Sequence, residues 1–83
     1  SVDRFQLSES MQMKEREIDL RDRIMHLILD YRMDYVEQHL KELQASLSTE
    51  SDLNKTMEIM GEIKKMQDMR NVLARKLGND IVV

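Results

Sequence analysis

An all-α fold, an antiparallel helical hairpin with a long first helix that pairs or swaps between copies, follows from three observations on this chain. An apolar ladder, Leu29, Met33, Val36, Leu40, Leu43 and Leu47, climbs in steps of four and three residues. A polar knot, Ser48-Thr49-Glu50-Ser51-Asp52, interrupts it, and a second ladder, Leu53, Met57, Met60, Ile63 and Met66, with Leu73 and Leu77 beyond, follows. Steps of this size keep side chains on one helical face. A chain reversal near Glu50 sets Leu47 against Leu53, Leu43 against Met57, Leu40 against Met60, Val36 against Ile63 and Met33 against Met66, a coiled-coil-like seam. The third observation is composition. The 83 residues include no proline and two glycines, and 35% of them are charged, so little in the chain breaks a helix.

Residues 1–7 have no sustained period and read as a flexible lead-in. Ser8 and Ser10 are candidate N-caps for a first helix over about 8–47. Glu17 with Arg21, Asp19 with Arg23, and Glu37 with Lys41 are i,i+4 pairs in the favourable acid-first order, each contributing about 0.3–0.5 kcal/mol. The turn, 48–51, offers Ser51 or Thr49 as cap of the second helix, with Asp52 in its first turn facing the positive end of the helix dipole. The second helix spans about 52–77. Gly61 inside it costs about 1 kcal/mol relative to alanine and is expected to admit a close approach beside Leu40. Gly78, after Arg75-Lys76-Leu77, reads as a C-terminal glycine cap, and 79–83 as a tail. The first helix then overshoots the second by a dozen or more residues, and Met11, Met13, Ile18, Leu20 and Ile24 on the overhang have no cover within one hairpin.

Two helices bury little apolar surface, and a domain this small is stabilised by staples or by a second chain. There is no cysteine, hence no disulfide and no thiolate metal site. The expected stabiliser is another chain, a homodimer in isolation. No stretch has the length and apolarity of a membrane span, and the start does not have the build of a signal peptide. The chain begins with Ser1, which suggests a fragment or processed product, and a cytoplasmic location is expected.

Chemistry has little footing. The carboxylates lie on mixed-charge faces, His26 and His39 are thirteen residues and therefore about 20 Å apart on one helix, and no glycine-rich phosphate loop occurs. No catalytic residue, metal ligand or cofactor is expected in these residues. Net charge is −3, with eleven acidic and seven basic residues in the first fifty. The modest basic strip Lys64, Lys65, Arg70, Arg75 and Lys76 falls short of a nucleic-acid footprint, so direct nucleic-acid binding is not expected. A chain without a pocket is expected to bind another protein. Eight methionines, adaptable side chains that fit irregular surfaces, agree with that.

The segment from Met60-Gly61-Glu62-Ile63-Lys64-Lys65-Met66 through Leu73-Ala74-Arg75-Lys76-Leu77-Gly78, after Leu27-Ile28-Leu29-Asp30-Tyr31 and a polar turn, resembles the extreme C-terminus of bacterial DNA primases of the Bacteroidetes type. The likeness covers roughly residues 24–83. It implies the terminal hairpin of the primase's helicase-binding region, which docks on the N-terminal domain of the replicative DNA helicase during priming. The polymerase and zinc-binding parts would then lie elsewhere in a parent nucleotidyltransferase. On that reading the partner-binding residues are Met69, Arg70, Val72, Arg75, Lys76, Leu77, Ile81 and Val82. The alternative expectation is a structural coiled-coil oligomerisation hairpin of an unrelated cytosolic protein.

Overall fold

The structure, a computed structural model, describes the backbone of residues 2–81 and the side chains of Gln6 and residues 8–78. It is a helical hairpin: α1 is Val2–Thr49 and α2 is Leu53–Ile81. The molecule measures 77 × 16 × 15 Å. With no proline to interrupt it, helical backbone begins at Val2 rather than at Ser8.

Three residues, Glu50 to Asp52, make the turn, and polar side chains satisfy both helix ends around it. The Ser48 hydroxyl donates to the Ala45 carbonyl at 2.7 Å and the Thr49 hydroxyl to that of Ser46 at 3.3 Å. The Glu50 amide donates to Leu47 at 3.4 Å, so three carbonyls of the last turn of α1 gain partners. On the other side, Asp52 is itself the N-cap, in place of Ser51 or Thr49: its Oδ2 accepts from the Lys55 amide at 3.0 Å. Glu50 Oε1 in turn accepts from the Asp52 amide at 3.1 Å.

The seam on α1 is the expected one. Leu29, Val36 and Leu40 are each 4% exposed, and Met33 between them and Leu43 and Leu47 beyond them are half-buried. On α2 the expected Ile63, Met66, Leu73 and Leu77 do lie on the seam, but the first turns of the helix present a different face from the expected one. Leu53, Met57 and Met60 are 72%, 64% and 56% exposed, so their pairings with Leu47, Leu43 and Leu40 do not form. The half-buried positions are Thr56, Ile59, Ile63, Met66, Leu73 and Leu77. Together with Arg70 they make an unbroken run of alternating three- and four-residue steps, which keeps a straight helical stripe on the partner. The expected ladder took three three-residue steps in a row from Met57 to Met66. Each such step turns only about 300°, so the stripe slides off the face.

The glycine expectations change accordingly. A Cβ on Gly61 would meet nothing within 4 Å, so Gly61 does not admit a close helix approach. Gly78 has no positive φ, and α2 continues through it to Ile81. It is therefore an interior residue, and Arg75 and Lys76 sit a turn inside the helix end.

Candidate interaction surface

Beside the seam, the two helices leave a long groove on one flank. Val36, Met66 and Leu73, all buried or half-buried, line it together with exposed Tyr31, Tyr35, Met69 and Val72. Arg32 and Asp68 complete it with one charge of each sign. Tyr35 stacks on His39, ring centroids 6.2 Å apart and planes at 19°. His39 Nδ1 lies 3.8 Å from Glu42. The tyrosine thus lies along its own helix as an aromatic lip of the groove.

The groove sorts the expected partner residues. Met69 and Val72 line it. Lys76, one turn beyond Val72, is exposed, as is Arg70, which occupies a register position of the α2 seam. Arg75 is exposed and its Nε donates to the Asn71 carbonyl at 3.4 Å. Leu77 is half-buried as an outer member of the seam, so it serves the hairpin rather than a free surface. Ile81 contributes helical backbone only to the description, and Val82 lies outside the described residues. Tyr31 and Tyr35 are the additions. They stood in the sequence at i and i+4, beside the α1 ladder on the same flank, and that spacing was the signal for them.

Upstream of His26 every described side chain of α1 is exposed. The exposed stretch from Ser8 to Met25 is about 27 Å long, an overhang of eighteen residues where a dozen or more are expected. Of the expected i,i+4 pairs, Arg21 with Glu17 forms at 3.1 Å, whereas Asp19–Arg23 and Glu37–Lys41 do not among the described residues; at the base of the arm His26 Nδ1 sits 3.1 Å from Asp30 Oδ2. Among the described residues no group of three His, Cys, Asp or Glu side chains is placed to hold a metal ion. No helix among them is long and apolar enough to cross a membrane.

A family model, Domain of unknown function (DUF8430), matches residues 1–82, and the chain belongs to that family. No curated protein and no solved structure matches it.

Proposed function

We propose that this DUF8430 domain is a protein-interaction module that docks a primase-type parent chain on the N-terminal domain of the replicative DNA helicase in the cytoplasm. The observation that carries the interaction role is the groove: two tyrosines, Met69 and Val72 stand exposed around an apolar floor. Aromatic and methionine side chains over such a floor are the usual anchors of a protein interface. The identity of the partner rests on the resemblance of residues 24–83 to primase C-termini. Arg70 and Lys76 are exposed on the same helix and supply positive charge to steer an acidic partner, acting on the association rate more than on affinity. The module itself uses no cofactor and carries no reaction. Chain elongation in the parent would belong to a polymerase site outside these residues.

The test is binding of the chain to a helicase N-terminal domain, followed by light scattering and calorimetry. Val72→Asp should leave the helical circular dichroism unchanged, because Val72 lies outside the seam, and should raise Kd at least about tenfold. No complex at tens of micromolar, or equal binding by Val72→Asp, sinks the reading. The exposed arm favours a second reading, a structural oligomerisation hairpin, which predicts self-association indifferent to any helicase.

A further inference from the structure

The face of α1 turned away from α2 carries a second heptad stripe: Met13, Glu17, Leu20, Ile24, Leu27 and Tyr31, in steps of four, three, four, three and four. The five apolar members are all exposed, Leu27 at 68% and Tyr31 at 73%. Such a stripe has the spacing that knobs-into-holes packing against another helix requires. The charges along one edge say which helix. Arg16, Arg23, Asp30 and Glu37 recur every seven residues on that edge, all exposed, two positive and then two negative. A row whose sign reverses at its midpoint is complementary to itself when run backwards.

We infer that α1 pairs along this stripe with α1 of a second copy, antiparallel, about a two-fold axis between Met25 and His26. In that register Leu20 of one copy layers on Tyr31 of the other and Ile24 on Leu27. Arg23 then flanks Asp30 of the second copy, and Arg16 flanks Glu37. Glu17, paired with Arg21 of its own helix at 3.1 Å, opposes Asp34 and closes the apolar stretch at each end. A parallel pair would instead set Arg16 against Arg21 and lose every one of these ion pairs. The inference does not depend on a helicase partner, since it needs the chain alone, and of the groove residues the stripe shares only Tyr31.

The experiment is sedimentation equilibrium on the whole chain, wild type and charge variants, with circular dichroism on each. Arg23→Glu and Asp30→Arg should each raise the dimer Kd about tenfold, since each turns attraction into repulsion at two symmetric places. The double variant should return it to within about threefold of wild type. Independently, Lys41→Cys, the sole cysteine in a chain that has none, carries a spin label. Antiparallel pairing puts the two labels roughly 45 Å apart along the axis, whereas parallel pairing puts them within about 20 Å. A wild-type chain that stays monomeric at 100 micromolar overturns the inference. So does a double variant no better than the single ones, or a short label distance.

Discussion

At the scale of the residue, Asp52 and Gly61 show local chemistry and packing acting separately. Asp52 starts the second helix with its own atoms: its carboxylate takes the Lys55 amide, and its carbonyl takes both the Thr56 amide at 2.9 Å and the Thr56 hydroxyl at 2.8 Å. Nothing in the facing helix is needed for that, so the turn stands wherever the polar knot stands. Gly61 does the opposite of what its place in the chain suggests. It reads as a contact glycine only if Met60 and Leu40 face each other, and they do not. With open space at its Cβ position, Gly61→Ala should raise stability by about 1 kcal/mol through helix propensity and reduced freedom of the unfolded chain. Urea unfolding followed by circular dichroism reads this directly; a destabilised variant would mean that the helix packs on that glycine after all.

At the scale of the element, the phase of α2 is the point at issue. Ile59 lies on the seam and Met57 is exposed, although the two are separated by only two positions and are similarly apolar. Ile59→Asp buries part of an unpaired charge and should cost about 2 kcal/mol or more. Met57→Asp sits in water and should change stability by no more than about 1 kcal/mol. Equal losses in the two variants would return Met57 to the seam and refute this assignment of the first turns of α2. The α1 ladder was legible because its steps alternate without exception. The first turns of α2 are less legible because Leu53, Met57 and Met60 are apolar enough to pass for core although their spacing breaks the strict period. Thr56, a poor core residue by type, and Arg70, a charged one, sit in the true register and hid it.

At the scale of the whole molecule, a rod 77 Å long and 16 Å across has almost no interior. Three side chains, all on α1, are its entire buried core among the described residues, so most of its apolar side chains remain on the surface. That imbalance is why the surface, rather than any cavity, is where function is expected. The antiparallel pairing has a shape consequence too. Its axis falls at the middle of Val2–Thr49, so the two long helices overlap end to end. Small-angle X-ray scattering should give a particle of twice the mass whose longest dimension stays near 77 Å while its cross-section grows. A particle much longer than the single chain would point to a staggered or end-to-end assembly instead.

The sequence by itself determined the class of fold, the existence and place of the turn, and the seam face of α1. Each depends on interactions spanning at most a few neighbouring residues: helix period, caps and the absence of proline. It also held the flank tyrosines and the charge reversal along α1, since these are matters of spacing on a single helix. Only the tertiary structure decided the face that the first turns of α2 present, the length of the exposed arm, the role of the glycines, and which of Met69, Val72 and Leu77 face outward. Rotation about a helix axis is set by how two stripes fit against each other. A helix that carries apolar residues on several faces, as α2 does, offers more than one stripe. The one that packs is the one whose period matches the partner along its full length.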